Sequence, residues 1–455
     1  MSDESTAAYP LAERIPKEQL DSEAELLASL GAKPFHVRIA TLLRLGGPGF
    51  MGAALTLGAG TLTAAMLSGA QFGYKMLWIS WVAIGSGLFM MAAMARFTTR
   101  GQFRIIAIQS RRHGAFVGRG LTAFLGLVCV AVAFNFGQVA LGTHLMESIG
   151  ETANIPFPQE INWLLYGLVT AWIALSYGRG GRKGVAFVET FMKSSLLLML
   201  ICFAACLVVV GIDWQAALRG FFVPWLPAGQ RGIDLFIASS AAAVGVMDWV
   251  FFHYAGLAKG WGPRHEGLAR VDMIAGLAVP FLVINFVVVA VFAGTLFGTQ
   301  DAAPTSAREL AAALAPLLGE TGANYAFLLG FLAVPITTTV AMSIACAVGV
   351  HEMMGWDPDV RSWRWKASIL LPQVGLVAAF APSPLLLIIV IAAALALTNN
   401  IVSWSFFLLL NDREVLGEYR SQSYMWNFGI LIQVTLLNAI AILWVLNRFG
   451  LWGAS

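Results

Sequence analysis

Eleven runs of this chain are apolar for long enough to cross a bilayer, and that pattern limits the fold to a bundle of membrane-spanning helices. A helix needs roughly 20 residues to traverse about 30 Å of hydrocarbon. The runs lie at 47–70, 74–95, 120–147, 160–177, 185–211, 233–257, 272–298, 325–351, 367–382, 384–410 and 424–447, the ninth being the shortest. Hydrocarbon offers no partner to a free N–H or C=O, so each run closes its own backbone hydrogen bonds as a helix. A content of 58% hydrophobic against 12% charged residues excludes the soluble classes. The expected fold class is an all-α polytopic membrane protein. Cys129, Cys202, Cys206 and Cys346 fall inside apolar runs without metal-ligand spacing and read as small core residues.

Two of the runs break the rule of continuity. The first is interrupted by Gly58-Ala59-Gly60-Thr61, and the sixth around Ser239, Ser240 and Gly245, followed at once by Asp248. Irregular backbone at membrane depth is tolerated where it lines a cavity, and an ionisable residue there marks function. Matching Gly-interrupted segments in two halves of a chain point to the midplane site of a secondary transporter. The expected organisation is a LeuT-type inverted repeat of five plus five helices with helices 1 and 6 broken. Its parts are a tail at 1–46, repeats at 47–211 and 233–410, and an eleventh helix at 424–447.

The basic residues give the orientation, because short cytoplasmic loops retain Lys and Arg. With the N-terminus inside, 22 of the 28 basic residues are cytoplasmic, including the cluster Arg96, Arg100, Arg104, Arg111, Arg112 and Arg119. The C-terminus is then external, and the expected location is a plasma (inner) membrane. In the tail, Leu20, Leu26, Leu27 and Leu30 have helical spacing before Gly31, which predicts a short amphipathic helix. Ser306 with Glu309 three residues on predicts a capped surface helix over 306–318.

Several segments carry a family likeness. Gly47-Pro48-Gly49-Phe50 opens the first run; Gly69-Ala70-Gln71-Phe72-Gly73-Tyr74 and Leu77-Trp78 follow it. His351-Glu352-Met353 ends the eighth, and Asn411-Asp412-Arg413-Glu414-Val415-Leu416-Gly417-Glu418-Tyr419-Arg420 follows the tenth. In this order they resemble the Nramp divalent-metal transporters, as a divergent member. The resemblance implies metal-ion transport through the fold just described. At the first break the family reads Asp-Pro-Gly-Asn, supplying oxygen ligands to the metal, whereas this chain matches it only at Gly60. At the sixth the family reads Met-Pro-His-Asn. One register sets Met247 on the family's sulfur ligand, and the other sets His253 on its later histidine and Asp248 on its first. Thr398 stands where the family has a glutamine, and Asn400 where it has a proline.

The substrate site expected from these readings comprises Gly58, Ala59, Gly60, Thr61, Gly245, Met247, Asp248, Thr337, Thr338, Thr398 and Asn400. Asp248 and Met247 are the candidate metal ligands, and Asp248 with His253 the candidate coupling pair, His253 relaying a proton. Asp248 has a plainer reading as a cap on the free N–H groups of its half-helix. His253 likewise reads as a satisfied structural histidine, and the hydroxyls of the eighth and tenth spans as helix-to-helix glue. Asn135, Gln138 and Asn285 extend an inner polar route. Glu189 and Lys193, four apart, predict a structural ion pair, and Arg270 with Asp272 an interfacial or gating one. No phosphate loop, nucleophile elbow or zinc helix occurs in the sequence, so an enzyme is not expected.

The expected function is secondary active transport of a metal cation coupled to protons or sodium. The partners are a small inorganic or small polar substrate and the lipid bilayer, with no nucleic acid and no resident cofactor. The alternatives are a sodium-coupled carrier of a neutral or organic solute, and a receptor or scaffold that kept the fold without transport.

Overall fold

The computed structural model describes residues 15–155, 158–227, 230–241, 245–299, 320–380, 399–421 and 423–448, and among these the regular structure is helical throughout. The predicted surface helix at 306–318 lies outside the described residues. Among the described residues, five helices or runs of joined helices are long and apolar enough to cross a membrane: Ala59–Gly101, Phe116–Thr152, Arg182–Val210, Pro263–Thr295 and Phe327–Met354. The large apolar side chains at the periphery agree with a hydrocarbon solvent. Along Gln159–Ser176, for example, Leu164, Leu165, Leu168 and Trp172 are all exposed, a stripe that would be a liability in water.

The tail forms α1 (Lys17–Ser29), where the leucine spacing predicted a helix, and α2 (Phe35–Leu45). The first apolar run is two helices, α3 (Pro48–Thr56) and α4 (Ala59–Phe72). Then come α5 (Leu77–Arg96), the surface helix α6 (Ile105–His113), and α7 (Val130–Thr152), which continues a π-helical stretch over Phe116–Cys129. Next are α8 (Gln159–Ser176), α9 (Arg182–Val210) and the short α10 (Trp214–Phe222), which Asp213 caps by accepting from the Ala216 N–H at 3.0 Å. The sixth run is again two helices, α11 (Gln230–Ala241) and α12 (Val246–Ala258). After them come α13 (Glu266–Val271), α14 (Val279–Thr295), α15 (Glu320–Met354) and α16 (Trp363–Leu370). The ninth run continues α16 as a 3-10 helix over Leu371–Phe380, and its last residues lie outside the described set. The chain ends in α17 (Asn399–Asn411), α18 (Arg413–Leu416) and α19 (Tyr424–Arg448).

Helix α15 is the centre of the bundle. Of its apolar window 83% is buried, against 28% for α9, and it packs on α3, α7, α8 and α9. The two interrupted runs pair head to tail: α3 packs against α12, and α4 against α11. Their neighbours are exchanged in the same sense, α3 meeting the π-helical turn Asp272–Ala278 that opens α14, and α12 meeting α5.

Close approach at the entry of α3 explains its glycines. A Cβ on Gly49 would stand 2.1 Å from the Asp272 carbonyl oxygen, and one on Gly47 2.1 Å from the Glu189 carboxylate. Pro48 at the first helical position loses nothing, because its missing N–H would have had no partner within the helix. Gly85, inside α5, faces open space. We therefore expect Gly49→Ala to lower the thermal midpoint in detergent sharply, with an overpacking cost of about 1–3 kcal/mol. Gly85→Ala should leave it unchanged or raise it, since Ala is the better helix former. Equal midpoints for the two variants would contradict the close packing.

Candidate functional site

The first interruption is narrower than the sequence predicts. Only Leu57 and Gly58 leave the helix, Gly58 in an extended conformation, while Ala59, Gly60 and Thr61 form the first turn of α4. The backbone groups set free there are met by side chains. Gln138 Oε1 on α7 accepts from the Ala59 N–H at 3.3 Å. Thr61 donates its hydroxyl back to the Thr56 carbonyl at 2.5 Å, and Thr338 on α15 donates to the Ala54 carbonyl at 2.8 Å. Gly58 eases that last contact, because a Cβ there would sit 3.1 Å from Thr338 Cγ2, a tight approach. Each of these bonds removes a cost of order 1–3 kcal/mol for an unpaired buried polar group.

At the second interruption Gly245, in extended conformation, precedes α12, and residues 242–244 are outside the described set. Asp248 occupies the third position of α12, so it is helical rather than unwound. Its Oδ2 accepts from the Gly245 N–H at 2.8 Å, the capping contact, favoured at a helix N-terminus. Its other oxygen, Oδ1, is buried and has no hydrogen-bond partner. Met247 beside it is buried as well. Other polar atoms on these helices and their neighbours are also buried without a partner, among them Gln138 Nε2, Thr63 Oγ1, Ser239 Oγ, Trp249 Nε1 and Ser343 Oγ. Asp248 thus caps its helix with one oxygen and keeps the other free. A cation, or a proton on Oδ1, would remove the cost of leaving it unpaired.

Other predicted site residues have found different work. Thr337 returns its hydroxyl to its own helix, at 2.9 Å from the Ala333 carbonyl, and Asn285 does the same to Phe281 at 3.0 Å. Thr339 donates to Asn135 Oδ1 at 2.7 Å and meets the Tyr166 hydroxyl at 2.8 Å, while Asn135 Nδ2 donates to the Pro372 carbonyl. That chain ties α7, α8 and α15 to the 371–380 segment and acts as interhelical glue. Both ring nitrogens of His253 are held. Nε2 lies 2.8 Å from the Phe103 carbonyl, which can only accept, so Nε2 carries a proton, and Nδ1 lies 2.9 Å from the hydroxyl of Thr98, which itself donates to the Met94 carbonyl at 2.8 Å. This is the arrangement of a structural histidine. Thr398 lies outside the described residues. Asn400 is in α17, and its side chain lies outside the described set.

Neither predicted ion pair forms. Glu189 pairs instead with Lys259 at the end of α12, whose Nζ lies 3.1 and 2.9 Å from its two oxygens, both residues being buried. Lys193 donates to the carbonyls of Leu43 at 3.0 Å and Gly46 at 2.6 Å, closing the end of α2. Asp272 accepts from the Gly47 and Gly49 N–H groups at 2.9 and 2.6 Å, capping α3 from another helix. Arg270 turns to Glu266 at 2.5 Å. The spacing of four brought Glu189 and Lys193 to one helix face, but Lys259 competed for Glu189 and the unsatisfied carbonyls ending α2 competed for Lys193. No regularity of spacing announces such a cluster; the Gly46-Gly47-Pro48-Gly49 run, which lets backbone approach carboxylates, was the available signal.

Among the described residues no three His, Cys, Asp or Glu side chains converge as a metal cluster. What the helices build is an all-helical multi-pass membrane protein whose interrupted segments cross beside a half-free carboxylate. The same fold occurs in solved transporters. A mutant of the Eremococcus coleocola manganese transporter superposes with a TM-score of 0.71 at 15% identity, covering 92% of this chain and 90% of that one. MhsT in complex with L-phenylalanine superposes at 0.58 with 14% identity, covering 88% and 98%. In sequence, the divalent metal cation transporter MntH of Agrobacterium fabrum is 23% identical over 425 residues, 91% of this chain and 90% of the relative. Residues 49–446 match the natural resistance-associated macrophage protein-like family, Nramp, and the chain belongs to it. It is a membrane transporter of that family and not an enzyme.

Removing one partner of a buried ion pair leaves an uncompensated charge, at a cost of about 3–5 kcal/mol. Lys259→Met should therefore lower the thermal midpoint strongly. The double variant Glu189→Gln with Lys259→Met should recover part of the loss. A double variant no more stable than Lys259→Met alone would show that the pair is not coupled.

Proposed function

We propose that this chain moves a metal cation across a plasma (inner) membrane by alternating access, coupled to protons or sodium. In this reading it has eleven spans with the N-terminus cytoplasmic, two inverted five-helix repeats at 47–211 and 233–410, and a final helix. The reciprocal packing of α3 on α12 and of α4 on α11 supports the repeat, since two segments related by a two-fold axis in the membrane plane exchange halves in this way. The observation that carries the site is the unpartnered Oδ1 of Asp248, at the start of α12, in a segment where an ionisable group is costly. Gly58, Gly245, Met247, Thr61 and Thr338 surround the interruptions and supply backbone and side-chain oxygen or sulfur. The MntH relatives are divalent metal cation transporters by name, which supports a divalent cargo.

The donor set nevertheless differs from the family's. Gly58 and Thr61 replace an anionic and an amide ligand, so a dehydrated transition-metal ion would lose charge that it needs. A larger or still-hydrated cation fits the remaining oxygens better. One observation favours a neutral solute carried with sodium: Gln138 Nε2, beside the first interruption, is a buried N–H donor that a cation cannot use.

Two measurements test this reading. In proteoliposomes, Asp248→Asn should insert normally, because its amide oxygen can still accept from the Gly245 N–H, yet lose uptake or its dependence on pH and sodium. Wild-type uptake with unchanged ion dependence would leave Asp248 as a cap only. Calorimetry with manganese should give no tight stoichiometric binding to the wild type. Tight binding that survives Asp248→Asn would overturn the altered donor set.

A further inference from the structure

Where α5 leaves its apolar run at Arg96, an open polar cleft of about 450 Å³ lies between α5, α13 and the residues that follow α18. Arg96, Arg100, Glu266, Glu418, Tyr419 and Arg420 line it. Past Arg96 and Glu266, which border both, it continues into a narrower groove between α5 and α19, walled by Phe89, Ala92 and Trp426 and edged by Arg270. Phe89 and Trp426 meet edge to face, their ring centroids 5.4 Å apart. Trp426 and Tyr424 are exposed at the first turn of α19, as aromatic residues are at a membrane boundary. Four arginines face two glutamates along this path. Glu266 is fully used, its Oε2 accepting from Arg100 Nε at 2.8 Å and its Oε1 from Arg270 at 2.5 Å. Arg96 Nη1 donates to the uncharged carbonyls of Tyr419 and Arg420 at 3.1 and 3.2 Å, and its Nε and Nη2 have no partner among the described residues. The exposed Arg420 guanidinium has none among them either.

We propose that cleft and groove form one binding site for an anionic diacyl phospholipid, its phosphate held by Arg96 and Arg420 and one acyl chain lying along Phe89, Ala92 and Trp426. Guanidinium N–H groups match phosphate oxygens in geometry and bond them with charge assistance. A basic pocket between spans at the level of the headgroups is suited to such a lipid. The excess of arginine over glutamate selects an anionic headgroup over a zwitterionic one. The apolar groove selects a lipid over free phosphate or an acidic peptide, either of which would fill the polar mouth and leave the groove empty. A bound lipid would bridge α5 and α19, which pack together along this groove.

The test uses the full chain in detergent micelles, titrated with phosphatidylglycerol, phosphatidylcholine or inorganic phosphate. Bound lipid is counted by native mass spectrometry and the thermal midpoint is followed in parallel. Phosphatidylglycerol should be retained in preference to phosphatidylcholine and raise the midpoint saturably, whereas phosphate should leave it unmoved. Arg420→Gln removes a charge without breaking a bond of the protein and should weaken phosphatidylglycerol about fivefold, the worth of one basic group at an anionic membrane surface. Arg96→Gln should weaken it at least as much. Ala92→Trp, or Ala92→Leu if the first does not fold, fills the groove and should abolish retention with every arginine in place. Arg38→Gln, at an exposed position of α2 outside the site, should bind as the wild type does. Equal weakening by Arg38→Gln and Arg420→Gln would reduce the effect to general attraction and overturn the site, as would equal retention of the two lipids. A midpoint raised by phosphate and insensitive to filling of the groove would overturn the lipid in favour of a simple anion site.

Discussion

A helix that stops inside a membrane exposes N–H and C=O groups to a solvent that cannot bond them, and the structure is arranged around that debt. Several of the backbone groups freed at the interruptions are met by side chains. Gln138 and Thr338 reach α4 and α3 from other spans, and Thr61 bridges the gap from its far side. Asp248 closes the start of α12 with one oxygen. Such contacts hold the irregular backbone in one geometry, so that the polar atoms left over, above all Asp248 Oδ1, have a defined position.

The same principle organises the entry of α3. Asp272 caps α3, Lys193 closes α2, and the Glu189–Lys259 pair joins α9 to the end of α12. Two acids and two lysines balance in charge, and each finds a fixed partner. The cluster therefore ties the interrupted first and sixth runs to α9 and α14 at one end of the bundle. The glycines at 46, 47 and 49 are the steric condition for it, because a Cβ at any of them would collide with Asp272 or Glu189.

Membership of the Nramp family and the altered first interruption pull the functional reading in different directions. The family's fold is retained, whereas the first interruption carries no carboxylate and Asp248 stands at the start of the second half of the sixth run. Cargo selectivity follows donor charge and number rather than fold.

The all-helical, multi-pass character, a helix end near each glycine-marked interruption and the family likeness were legible in the sequence, because apolar length and glycine placement are local properties that hydrocarbon turns directly into structure. Asp248 stood out for the same reason, as a charge within an apolar run. Which polar groups would meet was decided only by the tertiary structure. The spacing of Glu189 and Lys193 predicted a pair on one helix, but Lys259 lies 70 residues from Glu189 in sequence and 2.9 Å from it in space. Thr337, Thr338 and Thr339 are neighbours of one type, yet they point to their own helix, to the first interruption and to Asn135. Successive helical residues face about 100° apart, so the bundle around a helix, and not the residue type, selects each hydroxyl's partner.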